Sequence, residues 1–330
     1  MALGKFRVGV ISASGTGVKR TLPALANSAE VVVAAVHGRD KARIRELAHR
    51  HGVPYSFENL STLVDSKTVD FVVVCSPPFM HRRQAELLIP AGLPVLFEKP
   101  LAHSLADAQA IHRLASEFGV CVAVAHQLRF HPAYRYIKEV LVAGRLGSVQ
   151  SAFFEWSFRL DPNSASSRWK MVPSENGSTS VSDAGVHCLD TAIGLFGPNL
   201  EVLAAAGRKE AGRTAESVDV LLRAPSGAGL ALRCSRRYGP FSNRLAISGD
   251  QAELNADRFF TERGASAVDL FDSNGVREQI VTDDGPNPYQ LEVEAFARGI
   301  DSPADFEGTN LSEAVRACEL ISAIDARLAD

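Results

Sequence analysis

Over the first third of the chain, short continuous apolar runs alternate with amphipathic stretches. "FRVGVI", "EVVVAAV", "DFVVVCS", "PVLFEK" and "CVAVAH" are β-branched runs of strand length, separated by helical patterns such as "KARIRELAHRHG", "HRRQAELLIPAG" and "SLADAQAIHRLASEFG". Strands that are apolar throughout, with helices between them, predict a parallel sheet covered on both faces. After about His126 the texture changes. "SVQSAFFEWSFRL", "EVLAAAGRKE", "SVDVLLRAP", "GLALRCSRRY", "RLAISGDQAELNA", "AVDLFDSNG" and "VREQIVTD" follow one another with hairpin signals such as "APSGAG" and "DSNG". They predict an open, mostly antiparallel sheet. Helices are expected at "PAYRYIKEVLVAGRLG", "DAGVHCLDTAIGLFG", "NPYQLEVEAFARGI" and "LSEAVRACELISAIDARLA". The fold class is therefore α/β: a doubly wound domain over 1–126 and an α+β domain over 127–330.

Composition narrows the functional classes. The 330 residues are 46% apolar, enough for two cores, and the net charge of −3 comes from scattered rather than blocked residues. No nucleic-acid partner and no membrane partner is expected, and small molecules are the better prior. The five cysteines are odd in number and mostly lie in apolar runs, which fits reduced thiols in a cytoplasmic compartment. No leader pattern precedes Phe6, and the longest apolar runs fall far short of a bilayer span. No His and Cys cluster has metal-ligand spacing, so no metal is expected.

In a doubly wound sheet, ligands bind beyond the carboxyl ends of the strands, so the residues just after each strand carry the chemistry. After the first strand stands "SASGTG". The G-x-G-x-x-G spacing of a dinucleotide turn is held here by Ser12, Ser14 and Gly17, with an extra Gly15 beside Thr16. The same ends offer Gly38 and Arg39, then Ser76, Pro77 and His81, then Glu98 and Lys99, and finally His126 and Gln127. In the second half, Asp183 and His187 stand i and i+4 on an expected helix, with Asp190 further along. Arg129 and Trp169 are further charged and aromatic candidates in the second half, with a core place for Trp169 as the alternative.

"VDFVVVCSPPFMH", "PVLFEKPLAHSLADA" and "DAGVHCLD", in that order and spacing, resemble the glucose-fructose oxidoreductase and inositol dehydrogenase group, the Gfo/Idh/MocA family. The similarity runs over essentially the whole chain. It implies an N-terminal Rossmann domain and a C-terminal substrate-binding and oligomerisation domain. The activity it implies is hydride transfer between a nicotinamide cofactor and a CH–OH or C=O group of a sugar, ketosugar or cyclitol. It also implies that Lys99 polarises the reacting oxygen, that His187 is the general acid/base, and that Asp183 binds a substrate hydroxyl or holds the histidine. Lys99, Arg129, Trp169, Asp183 and His187 are then the substrate contacts. A homodimer or homotetramer through the C-terminal sheet is the expected assembly. Two other readings compete: a glycoside hydrolase that retains NAD and oxidises transiently, and a non-catalytic cofactor-binding module.

The end of the second strand bears on the cofactor. NAD-preferring domains carry an Asp or Glu there for the ribose hydroxyls, whereas this chain has Gly38 followed by Arg39. A missing carboxylate beside a guanidinium favours NADP(H) over NAD(H), because Arg pairs with phosphate in a fork. The alternative is that Asp40 takes the acid's place after a shift of register. Leu128, where inositol and polyol dehydrogenases of the family carry a basic residue, mildly disfavours a plain inositol.

Overall fold

The computed structural model describes residues 5–13, 15–161, 163, 170, 180–207, 215–259, 266–282 and 285–328. Ser14 and Trp169 lie outside the described residues. The chain divides into two compact units, residues 1–127 with 286–315, and residues 128–285 with 316–330. Among the described residues no helix is long and apolar enough to cross a membrane.

The first unit is built on a seven-stranded sheet. Its parallel strands are β1 (Phe6–Ile11), β2 (Val31–His37), β3 (Tyr55–Phe57), β4 (Phe71–Val74), β5 (Val95–Glu98) and β6 (Val122–Ala125). They stand in the order β6-β5-β4-β1-β2-β3. The direction of winding reverses between β1 and β4, which makes the carboxyl ends of those two strands the switch point. All four residues of β4 are buried, as are those of β6, matching their continuous apolar sequence. The helices between strands are α1 (Leu22–Leu25), α2 (Lys41–Arg50), α3 (Leu60–Ser66), α4 (His81–Leu88) and α5 (Leu105–Phe118). Local chemistry sets their ends. Asp40 caps α2 by accepting from the Arg43 N–H, Ser104 caps α5 by accepting from Asp107 N–H, and Gly119 closes α5 at φ 63°.

One expectation about the domains is corrected here. The sequence placed everything after 126 in the second domain, yet residues 286–315 belong to the first unit. The helix formed by Pro288–Gly299 buries Val293, Phe296 and Ala297, spaced i, i+3, i+4, in the core of the parallel sheet. Phe296 meets Phe71 with ring centroids 5.6 Å apart. A two-residue strand, Thr309–Asn310, then pairs antiparallel with β6 at the sheet edge.

The second unit carries an eight-stranded sheet, with β7 (Val149–Arg159) and β8 to β14 following as Glu201–Gly207, Ser217–Arg223, Gly229–Ser235, Arg237–Gly249, Ala252–Asp257, Ala267–Asp272 and Arg277–Val281. The order is β14-β13-β12-β11-β7-β10-β9-β8, and every pairing is antiparallel except β10 with β7. The strict alternation in β9, with Val218, Val220 and Leu222 buried and their neighbours exposed, shows one face on the core and one in water. Helices α6 (Pro132–Val142) and α7 (Gly185–Phe196) contribute to that core.

Candidate active site

In the first unit the loop after β1 turns sharply. Ser12 has φ 56° and Gly15 φ 49°, both in the left-handed region. The Ser12 N–H points to Nδ1 of His37 at 3.4 Å, and the Ala13 N–H donates to the His37 carbonyl at 2.8 Å. A Cβ on Gly15 would meet nothing within 4 Å, whereas one on Gly17 would lie 3.2 Å from Cys75 Cβ and 3.3 Å from Val10 Cγ1. Gly17 therefore lets the helix close on the sheet, and Gly15 supplies the turn. The helix opens as a π-turn over Gly17–Thr21, with the Leu22 N–H reaching Gly17 O, before α1 takes over at Leu22. Thr16 is half-buried just ahead of it.

At the end of β2, a Cβ on Gly38 would press on Ile44 Cδ1 at 3.2 Å, so a side chain there would require the end of Ile44 to give by a few tenths of an ångström. Arg39 is exposed. The Asp40 carboxylate, the alternative acid, caps α2 by accepting from Arg43 N–H at 3.0 Å.

Beyond β4, Ser76 is buried and its hydroxyl donates to Gln84 Oε1 at 2.5 Å, while Pro77 is half-buried beside it. His81 was expected among the cofactor-binding residues, but its ring has no solvent exposure. It contacts Ser76 O and Leu101 O, each at 2.9 Å, and so can act on a ligand only through the two loops that it ties. Glu98 ends β5, and Lys99 follows half-buried, at the carboxyl end of the sheet and one strand away from β4. Gln127 is buried in the short turn that follows β6. Burial, and then the charge of Glu98, push the Cys75 thiol up, so it stays protonated and is no nucleophile at neutral pH.

The second unit gathers its own cluster. Asp183 does not lie on the helix as the i, i+4 reading implied; it sits in the turn two residues before α7 begins at Gly185. Lys170 Nζ meets its two oxygens at 2.8 and 3.0 Å. The Lys170 carbonyl is in turn held by Arg236 Nη1 at 3.0 Å, and the fully buried Arg236 is paired with Glu216 through two contacts of 3.1 Å. His187 lies in the first turn of α7, 5% exposed, with its ring 4.0 Å from that of Trp156 and tilted by 32°. Arg129 was expected to touch substrate. Its guanidinium instead grips Asp190 from Nε at 3.1 Å and Nη2 at 2.8 Å, both side chains being buried, which makes it an anchor of α7.

Sequence reasoning missed Trp156, Arg236 and Glu216, and pointed to His37 only through its place at the end of β2. Of the three missed, only Arg236 left a signal, as the first of the basic pair "RR" that follows "GLALRCS".

Comparison with known proteins agrees with this geometry. A model of the oxidoreductase family with an NAD-binding Rossmann fold (GFO/IDH/MocA) matches residues 6–126, and one of the GFO/IDH/MocA C-terminal domain matches residues 134–255. The D-xylose 1-dehydrogenase (NADP(+)) 2 of Haloferax volcanii is 28% identical over 294 residues, 89% of each chain. Among solved structures, a 3-ketoreductase from Actinomadura kijaniata, in complex with NADP and TDP-benzene, superposes with a TM-score of 0.86 at 24% identity over 98% of each chain. An aldose-aldose oxidoreductase from Caulobacter crescentus, complexed with glycerol, does so with a TM-score of 0.89 at 20% identity, covering 98% of this chain and 97% of that one. At these identities the structural likeness shows the fold. The two family models between them span most of the sequence, and the chain belongs to the GFO/IDH/MocA oxidoreductase family.

Proposed function

We propose that the protein transfers a hydride between NADP(H) and a CH–OH or C=O group of a sugar, ketosugar or cyclitol. The observation that carries this reading is the position of Lys99, at the carboxyl end of β5 in a sheet whose strand order creates a switch point one strand away. The loop beside that switch point fits a dinucleotide: Gly15 leaves open space, and a side chain at Gly17 would crowd Cys75 and Val10. Ser12, Ser14, Gly15, Thr16 and Gly17 would hold the pyrophosphate, with Ser76, Pro77, Glu98, Lys99 and Gln127 toward the nicotinamide. Arg39 would read the 2'-phosphate. Its exposure, and the use of Asp40 as a helix cap, support NADP(H) over NAD(H), as does the NADP(+) in the name of the Haloferax volcanii relative.

Bound nicotinamide supplies or accepts the hydride. Oxidation of an alcohol also requires the hydroxyl proton to leave, and reduction requires one to return. In this reading His187 moves that proton, and the Lys99 ammonium hydrogen-bonds the reacting oxygen and stabilises the charge that develops there. Asp183, tied to Lys170, orients a substrate hydroxyl. Arg129 acts one step back, holding the helix that carries His187. A homo-oligomer formed through the C-terminal sheet completes the proposal.

Fluorescence titration with NADPH and NADH, at several salt concentrations, tests the cofactor. A preference of about tenfold or more for NADPH that weakens with salt is expected, and Arg39→Ala should abolish the preference. Failure to bind either cofactor overturns the reading. With a ketosugar panel as oxidants, Lys99→Ala and His187→Ala should each lose more than about a hundredfold in turnover while still binding NADPH. Near-normal turnover in either variant removes that residue from the chemistry.

A further inference from the structure

The first position of the dinucleotide loop belongs to glycine in the usual fingerprint because the backbone there makes a tight turn. Here it is Ser12, and its φ of 56° is a conformation that a residue with a side chain keeps only where its surroundings enforce it. The enforcing group is on the neighbouring strand. His37, the last residue of β2, offers Nδ1 to the Ser12 N–H at 3.4 Å, and its carbonyl takes the next N–H, that of Ala13, at 2.8 Å. The ring is buried, 7% exposed, at the end of the strand next to β1. Accepting at Nδ1 requires a neutral ring with its proton on Nε2, and burial lowers the His37 pKa in the direction that keeps it so.

We infer that His37 is a positioning residue for cofactor binding, which holds Ser12 and Ala13 in the conformation that receives the pyrophosphate. The histidine does for this loop what a glycine's conformational freedom does in the common fingerprint. The inference rests on the dinucleotide reading above and adds a residue to it that neither the motif nor the family resemblance singles out.

A double-mutant cycle tests it, with NADPH and NADH titrated separately against wild type, His37→Phe, Ser12→Gly and the double variant. His37→Phe keeps the bulk of the ring and removes the acceptor. It should weaken both cofactors by about tenfold and by equal factors, because the pyrophosphate is common to the two. On the Ser12→Gly background the same change should cost less than about threefold, since glycine needs no clamp. His37→Asn, whose Oδ1 can accept near the Nδ1 position, should bind within about threefold of wild type.

Equal losses on both backgrounds overturn the inference, as does a His37→Asn variant no better than His37→Phe. A loss confined to NADPH overturns it too, and would make His37 a reader of the 2'-phosphate. If His37→Phe does not fold, His37→Ala takes its place. Folding of these variants only on the Ser12→Gly background supports the clamp, and failure on both backgrounds overturns it. If wild type binds neither cofactor, the dinucleotide reading falls and the inference falls with it. Binding by wild type without coupling between the two positions removes the inference alone.

Discussion

The imidazole of His81 lies between two backbone carbonyls, with Nδ1 2.9 Å from Leu101 O and Nε2 2.9 Å from Ser76 O, and its ring packs 5.1 Å from that of Phe97. A carbonyl only accepts, so a neutral ring can satisfy one of the two and an imidazolium could satisfy both. Burial decides the contest and draws the pKa down to about 4, against the pull of those carbonyls. The unfolded chain protonates this histidine near pH 6.5, whereas the folded one does so near 4. Its contribution to stability is therefore complete above pH 6.5 and is lost as the pH falls toward 4. Denaturant unfolding at several pH values should show a loss of up to about 3 kcal/mol over that window from this one group. His81→Gln, which keeps an amide donor, should show a shallower decline than wild type. Parallel pH profiles for the two proteins would mean that the ring is not held neutral in the fold.

Helix α7 is buried on every side through its first nine residues, and its packing depends on small residues at two points. A Cβ on Gly185 would lie 3.0 Å from Cys234 Sγ, and one on Gly194 would lie 2.2 Å from Tyr134 Oη and 3.2 Å from Arg129 Cζ. Gly194→Ala should therefore destabilise the protein by about 1–3 kcal/mol, despite the better helix propensity of alanine, because Tyr134 is buried and has little room to retreat. Tyr134→Phe removes the oxygen in the way, so the double variant should be less destabilised than the sum of the two single ones. Additive losses in chemical denaturation would count against the clash. The helices and most of the strands around this element were legible in the sequence, because their 3.6 and 2.0 periodicities persist over many residues. β3 and the edge strand at Thr309–Asn310 were not, being too short to show a period. Lys99, Asp183 and His187 could be singled out because motifs carry them. The Arg129–Asp190 pair and the Ser12–His37 contact could not, since each joins residues far apart in sequence whose meeting only the fold decides.

At the scale of the whole molecule, the chain passes between its two units three times, after residues 127, 285 and 315. The division that the sequence suggests, at 126, therefore does not yield a complete first unit. A fragment of residues 1–127 lacks the helix at Pro288–Gly299, and with it the Ser28 Oγ to Glu294 hydrogen bond of 2.5 Å and the Arg298 to Glu30 ion pair of 2.6 Å. The larger loss is apolar. Phe296 and Val293 are 1% and 2% exposed, and burial of two such side chains stabilises by roughly 3–6 kcal/mol, a large part of the 5–15 kcal/mol that holds an ordinary domain together. Phe71, fully buried beside Phe296, would then face solvent on that side. The fragment should melt well below the full chain by circular dichroism, or without a cooperative transition, and should bind a hydrophobic dye. A separate peptide of residues 286–315 should raise its melting temperature in a concentration-dependent way, because it binds the folded form and not the unfolded one. A fragment of 1–127 that melts cooperatively within a few degrees of the full chain, and ignores the peptide, would show that the first unit is complete without its late helix.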